Sequence, residues 1–180
     1  MIEQWNDSPG DFHPASAPDY LPAAQLRSLQ LGRLRGVVQR AYDCVALWRK
    51  RLDEKGLKPA AIRSLDDVPL LPFTVKTDLR DTYPFGLFAS PMQEVVRLHA
   101  SSGTTGKPIV VAYTQEDINV WTSVMVRTFA ACGLHRHDII QNAYGYGLFT
   151  GGLGAHYGAE GLGATVIPIS GSSAARRRKR

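Results

Sequence analysis

Cysteine is scarce. Cys44 and Cys132 are the only two in 180 residues. They lie far apart without metal-ligand spacing, which excludes a disulfide scaffold and a zinc ribbon. Each falls in an apolar helical pattern, so both are expected to be buried, reduced thiols. No apolar stretch approaches the roughly 20 residues that a membrane-spanning helix needs. Met1-Ile2-Glu3-Gln4-Trp5-Asn6-Asp7 lacks the basic start and apolar run of a secretory leader. A reducing cytoplasm is the expected location. Net charge is missing from the body although the chain carries +5. Five cations sit in Arg176-Arg177-Arg178-Lys179-Arg180; without them, 16 Lys and Arg face 16 Asp and Glu. The body therefore makes no electrostatic case for nucleic acid. Internal repeats are absent.

What is present fits a globular chain: 44% hydrophobic and 21% charged residues. The length allows one good core or a little more. Residues 1–21 are punctuated by Pro9, Gly10, Pro14 and Pro18 and read as an irregular arm anchored by Trp5 and Phe12. Leu26, Leu29, Leu34, Val37, Val38, Ala41, Tyr42, Val45, Trp48 and Leu52 then follow helical spacing, which predicts one long helix ended by Gly56. Trp48 reads as a core or domain-contact anchor. Gly32 and Gly36 each cost that helix roughly 1 kcal/mol against alanine. Arg27, Arg33, Arg35, Arg40, Arg49, Lys50 and Arg51 lie beside the stripe, as a solvated face or a nucleic-acid helix would place them; the neutral body favours the former. A proline-punctuated connector, Ser64 to Phe73, leads to a short helix from Val75 to Arg80 that Thr74 can cap.

Two loops carry the chemistry. In the first, His99-Ala100-Ser101-Ser102-Gly103-Thr104-Thr105-Gly106-Lys107-Pro108 sits between Val95-Val96-Arg97-Leu98 and Ile109-Val110-Val111-Ala112-Tyr113, both β-branched runs that read as strands. Hydroxyls, close-approaching glycine backbone and one lysine suit a polyphosphate. The spacing is not that of the common P-loop, and Pro108 with a following strand removes the helix-dipole contribution. A plain polar hairpin turn is the alternative, but it would not need four hydroxyls and a lysine. The second loop is Tyr144-Gly145-Tyr146-Gly147-Leu148-Phe149-Thr150-Gly151-Gly152-Leu153-Gly154. It reads either as a flat apolar slot or as a glycine-rich loop with aromatic plugs.

Around these loops, Thr114 and Asp117 open a helix with Ile118, Trp121, Val124, Met125, Thr128, Phe129 and Cys132 on one face, ending at Gly133. Residues 138–143 read as a strand, 155–162 as a short helix and 164–169 as a buried strand. The order predicts an α/β fold with parallel crossovers. His135-Arg136-His137-Asp138 could ligate a metal, but its place between a glycine and a strand reads better as a turn. His99 and His156 flank the two loops as ligand contacts or as structural histidines.

Taken together, Ser101 to Pro108 resembles the phosphate loop of the acyl-adenylate-forming enzymes. Tyr144 to Glu160, Leu71-Pro72-Phe73-Thr74-Val75-Lys76-Thr77-Asp78-Leu79-Arg80 and Tyr83-Pro84-Phe85-Gly86 narrow the resemblance to the phenylacetate-coenzyme A ligase branch. The resemblance spans roughly Trp5 to Ser170. It implies an incomplete N-terminal domain of the adenylate-forming fold. Residues 1–80 would form an arm and helical segment, 81–170 a partial nucleotide- and aryl-acid-binding α/β region, and 171–180 an aberrant disordered basic tail. It implies that Ser101, Ser102, Gly103, Thr104, Thr105, Gly106 and Lys107 hold ATP phosphates. It places Tyr144, Gly145, Tyr146, Gly147, Phe149 and Gly151 around the aryl acid. The implied substrates are phenylacetate or a related aryl acid, Mg²⁺-ATP and coenzyme A, with no prosthetic group and a homodimer for the intact enzyme. Small molecules are the implied partners, with neither nucleic acid nor membrane.

The resemblance also implies parts that this chain does not contain: the adenine motif, the ribose-binding aspartate and the C-terminal domain with its catalytic lysine. A binding module working with a separate C-terminal half is the alternative to an enzyme portion, and a basic-tail protein ranks last. The expectation is that this polypeptide alone is catalytically silent. A coupled pyrophosphate-release assay with phenylacetate, ATP and coenzyme A should stay at background; turnover well above it would overturn the expectation.

Overall fold

The computed structural model describes residues 13–101, 108–147 and 150–169. They form two compact units, residues 21–114 and residues 13–20 with 115–169.

In the unit of residues 21–114, the single helix expected from the stripe is two. Helix α1 runs Ala23–Cys44 and α2 runs Ala46–Glu54. Val45 between them is buried and extended, at φ −115° and ψ 106°. The break leaves carbonyls of the last α1 turn without helical donors. Arg49 supplies them: its Nε donates to the Tyr42 carbonyl at 2.8 Å and its Nη2 to the Asp43 carbonyl. A glycine closes α2. Gly56 takes φ +65°, its N–H donates to the Asp53 carbonyl, and Leu57 N–H donates to the Leu52 carbonyl. This pair of bonds is a Schellman closure, which needs the left-handed residue that glycine supplies at little cost.

Val38, Leu52 and Ile62 form the core of this unit, with Leu31, Leu34, Tyr42, Trp48, Leu57 and Leu71 packed against them. Trp48 is therefore a core anchor. Leu29 and Val37, expected on the stripe, are exposed instead. The connector between α2 and the next helix is irregular, with short 3₁₀ turns at Pro59–Ala61 and Leu65–Leu70. Irregular chain leaves carbonyls unpaired, and prolines give no N–H in return. The helix cations pair with those carbonyls. Arg35 donates to the carbonyls of Ile62 and Arg63 at 2.8 and 3.0 Å. Lys55 reaches Leu70 at 3.1 Å, and Arg51 reaches Phe73 at 2.7 Å. Arg27, Arg33, Arg40 and Lys50 stay on the solvated face that was expected, while Arg35 and Arg51 of the same helices also hold connector carbonyls.

Arg51 does more. Its Nη1 and Nη2 grip both carboxylate oxygens of Asp78, at 2.7 and 2.6 Å. Asp78 is buried on α3, Lys76–Asp81, and also accepts the Val75 N–H at 2.7 Å. Val75 is thus the N-cap position, served by a carboxylate three residues on; the expected Thr74 cap is not used. Strands β1, Val95–Ala100, and β2, Val110–Thr114, pair antiparallel from Val95↔Thr114 to Ala100↔Val110, with an irregularity between Val95 and Arg97. Strand β1 runs two residues further toward the loop than the sequence pattern indicates.

The other unit holds α4, Gln115–Ala131, β3, Ile139–Asn142, α5, Gly151–Leu162, and β4, Thr165–Pro168. Strands β3 and β4 are parallel, Ile139↔Thr165 through Asn142↔Pro168, and α5 is the crossover between them. Among the described residues β2 and β3 share no sheet, so only the second of the expected crossovers is parallel within one sheet. Val126, Leu162 and Ala164 form the core with Ala15, Phe129, Ala130, Leu134 and Ile140. The 3₁₀ segment Pro14–Tyr20 is tied to α4 by the Asp19 carboxylate and the Arg127 guanidinium. Val124, on the apolar face expected for α4, is exposed. Cys44 and Cys132 are both free and exposed, against the expectation of burial; Cys44 is the last residue of α1, and Cys132 follows the last residue of α4. No helix of the described residues is long and apolar enough to cross a membrane.

The Arg51 guanidinium, and after it the Val75 N–H, holds the Asp78 carboxyl below the usual carboxylate range. A carboxyl depressed on folding stabilises the fold above its unfolded value of about 4 and loses that contribution as pH falls through its folded value. Asp78→Asn should therefore melt lower than wild type at pH 7, and the gap should close toward pH 3. Thermal melts across that range check this; a gap that stays constant would contradict it.

Candidate functional site

The first loop leaves the hairpin through a closed neck. Ser101 N–H donates to the Ile109 carbonyl at 2.9 Å, and Ile109 N–H donates to Ser101 Oγ at 3.0 Å. The Ser101 hydroxyl thus uses a lone pair to close the neck, and its own proton is still a donor. Next to it, His99 is buried at 2% exposure with its ring edge-on to Tyr113 at 5.6 Å. It is a packed strand residue, paired with Val111 in the hairpin register and diagonal to Tyr113. Of the candidate phosphate residues, Ser102, Gly103, Thr104, Thr105, Gly106 and Lys107 lie outside the described residues.

The second loop leaves the carboxyl end of β3, the side of a parallel sheet where ligands gather in open α/β folds. Tyr144, Gly145, Tyr146 and Gly147 are described, as is Gly151; Phe149 lies outside the described residues. Tyr144 is exposed, and its ring lies over the start of α5: a Cβ at Gly151 would sit 3.1 Å from Tyr144 Cε1. Helix α5 begins at Gly151, earlier than the expected Ala155. Gly151, Gly152 and Gly154 are therefore helical rather than loop residues. Their absent side chains have specific uses. A Cβ at Gly152 would meet the Gly145 carbonyl oxygen at 2.3 Å, so the loop backbone lies directly on the helix. Gly154 and Gly158 face α4, where a Cβ would strike the Trp121 indole at 2.6 Å and Met125 Cβ at 2.3 Å.

Asn142, at the end of β3, was not a sequence candidate, yet it anchors the loop. It is buried, and its Nδ2 donates to the Gly152 carbonyl and to Tyr146 Oη, each at 2.8 Å. Its Oδ1 accepts from Tyr144 N–H at 3.3 Å. Tyr146 Oη also lies 3.1 Å from His156 Nδ1, and His156 Nε2 lies 3.0 Å from Glu160 Oε1. Tyr146 is thus braced from two sides. The one available signal was an asparagine ending a β-branched run, which a turn explains equally well. His135 and Asp138 pair with each other at 2.9 Å in a turn, and among the described residues no three His, Cys, Asp or Glu gather as a metal group.

No protein-family model matches the chain. Curated relatives do. The chain is 55% identical over 157 residues to the phenylacetate-coenzyme A ligase of Thermus thermophilus, covering 87% of this chain and 35% of that protein. It is 60% identical over 146 residues to that of Pseudomonas putida, covering 81% and 33%. It belongs with the phenylacetate-coenzyme A ligases over the part of them it covers. The chain spans about a third of the length of these ligases and corresponds to their N-terminal portion. Among solved structures, 2-hydroxyisobutyryl-CoA ligase in complex with 2-HIB-AMP and CoA, in the thioesterification state, superposes with a TM-score of 0.80 at 30% identity. That match covers 93% of this chain and 39% of the other. An open conformation of the same enzyme gives 0.78 at 28% identity, covering 91% and 40%. The fold is accordingly a partial N-terminal domain of the adenylate-forming ligases, as the resemblance implied.

In this ligase portion the glycines of α5 are packing residues, whereas a Cβ added to Gly36 on α1 would meet nothing within 4 Å. Gly158→Ala should destabilise by about 1–3 kcal/mol through overpacking against Met125. Gly36→Ala should instead stabilise by about 0.5–1 kcal/mol. Urea unfolding of the two variants checks the contrast; equal effects would contradict the packing role.

Proposed function

We propose that this chain supplies the phosphate loop and the aryl-acid slot of a phenylacetate-coenzyme A ligase. In that reaction a carboxylate oxygen of phenylacetate attacks the α-phosphorus of ATP and pyrophosphate leaves, giving a mixed anhydride with AMP. The coenzyme A thiol then attacks the acyl carbon, AMP leaves and a thioester remains. Activation is needed because a free carboxylate is a poor electrophile.

The supporting observation is the extent of the relatives' match. A stretch of 157 residues within 180 cannot avoid either loop. Ser101, Ser102, Gly103, Thr104, Thr105, Gly106 and Lys107 are assigned to the ATP phosphates, with hydroxyls and Lys107 meeting the negative oxygens. Mg²⁺ would accompany ATP as its counterion. Tyr144, Gly145, Tyr146, Gly147, Phe149 and Gly151 are assigned to the aryl ring. An exposed Tyr144 over a glycine floor offers a face for offset stacking. Residues 81–170 are the proposed binding region. The proposed partners are small molecules, not nucleic acid or membrane, and the intact enzyme is proposed to be a homodimer. The proposed location is the cytoplasm, which two exposed free thiols suit.

A chimera tests the reading. Residues 1–169 of this chain replace the matching portion of the Pseudomonas putida ligase, and phenylacetyl-CoA formation is measured. The chimera should be active. Lys107→Ala should raise the KM for ATP by about tenfold, the weight of roughly 1.4 kcal/mol, and leave the KM for phenylacetate unchanged. Tyr144→Ala should do the reverse. A folded chimera that releases no pyrophosphate with phenylacetate would refute the assignment.

A further inference from the structure

The four polar side chains behind the second loop form one directed chain. Asn142 has two N–H donors and one carbonyl, and all three are committed: Gly152, Tyr146 and the Tyr144 N–H. Tyr146 Oη accepts from Asn142 and lies 3.1 Å from His156 Nδ1; because His156 Nε2 faces a carboxylate, which only accepts, Nε2 carries the proton and Nδ1 of the neutral ring accepts from the Tyr146 hydroxyl. A histidine that accepts at Nδ1 carries its proton on Nε2, and that N–H donates to Glu160 Oε1 at 3.0 Å. The order is Asn142 to Tyr146 to His156 to Glu160, ending on a carboxylate, where the hydrogen bond is charge-assisted. His156 and Glu160 lie one turn apart on α5. Asn142 terminates β3. The chain of bonds therefore joins the strand end, the loop and the helix.

We propose that Asn142, His156 and Glu160 are positioning residues that clamp Tyr146 and residues 143–147 to α5, and so set the shape of the aryl slot. The inference rests on the slot reading above. The need for a clamp is physical. A Cβ at Gly145 or Gly147 would meet nothing within 4 Å, so neither residue has a side chain holding it in place, and only the Gly145 carbonyl rests on the helix at Gly152. Without fixed partners a segment with two glycines keeps wide backbone freedom, and ordering it on binding would cost affinity. The clamp orders it in advance. It also occupies the polar atoms of Tyr146 and Asn142 internally, so Tyr146 can offer an aryl acid its ring rather than its hydroxyl.

Nuclear magnetic resonance of the full 180-residue chain tests this. The His156 ring should show the Nε2–H tautomer. Amide exchange at Tyr144–Gly147 should accelerate about tenfold in Tyr146→Phe and in His156→Gln, with α4 amides as the internal reference for global stability. His156→Asn, which keeps an acceptor near the Nδ1 position, should restore near-wild-type exchange. The opposite tautomer, or loop exchange unchanged in Tyr146→Phe and His156→Gln, would overturn the clamp. So would acceleration matched by α4, because that is general destabilisation. Phenylacetate titrated into the same samples should shift the Tyr144 amide, with about tenfold weaker binding in Tyr146→Phe. A clamp behaving as described in a chain whose Tyr144 amide does not respond to phenylacetate would instead refute the slot reading, so the two failures are separable.

Discussion

Irregular backbone must find donors for its carbonyls, and in residues 21–114 long cationic side chains provide them. Arg51 is the centre of this arrangement. Its guanidinium holds the Phe73 carbonyl and both oxygens of Asp78, so one planar group joins α2, the connector and α3. Such a fork suits arginine and not lysine, because two parallel N–H groups match two carboxylate oxygens. Asp78 in turn accepts the first orphan N–H of its own helix. Arg35, Arg49 and Lys55 repeat the logic at Ile62, Tyr42 and Leu70. Apolar burial here is modest, with Val38, Leu52 and Ile62 at its centre. The polar clamps therefore decide the path that the connector takes over that core.

The other unit reaches order by a different route. Parallel strands β3 and β4 need a crossover helix, and α5 must lie close to both its loop and α4. Glycine has poor helix propensity, with a cost of roughly 1 kcal/mol per residue. Here that cost is offset by contact. Gly154 and Gly158 let the backbone of α5 approach Trp121 and Met125, and Gly152 lets residue 145 rest on the helix. The same residue type that looks like loop composition is used for close packing.

How much of this was legible in the sequence follows from the range of the interactions. The hairpin strands were visible because β-branched residues cluster at Val95–Val96 and Val110–Val111, a local signal. The β3–α5–β4 crossover was visible from the order of its elements. The start of α5 was not, because tertiary contact overrode propensity at Gly151, Gly152 and Gly154. The break at Val45 was hidden by uninterrupted periodicity across it. The role of Arg35 and Arg51 depends on carbonyls far along the chain, which no window of helical spacing can contain. At the candidate site, the residue types suggested a phosphate loop and either an apolar slot or a plugged glycine-rich loop, and the aryl acid came only from the resemblance. Asn142 did not stand out, because its partners at Tyr146 and Gly152 become neighbours only once β3 and α5 are packed.

Asn142 also gives the second loop a chemical lifetime. An amide is thermolabile, and hydrolysis would leave aspartate at the same place with nearly the same shape. The one nitrogen that carries both donors would become a single acceptor oxygen, set against the Gly152 carbonyl that it once served. Buried acceptors facing acceptors repel and forgo the hydration they would have in water. Ageing at this one side chain would therefore release the loop from α5 without cutting the backbone or removing a single apolar contact.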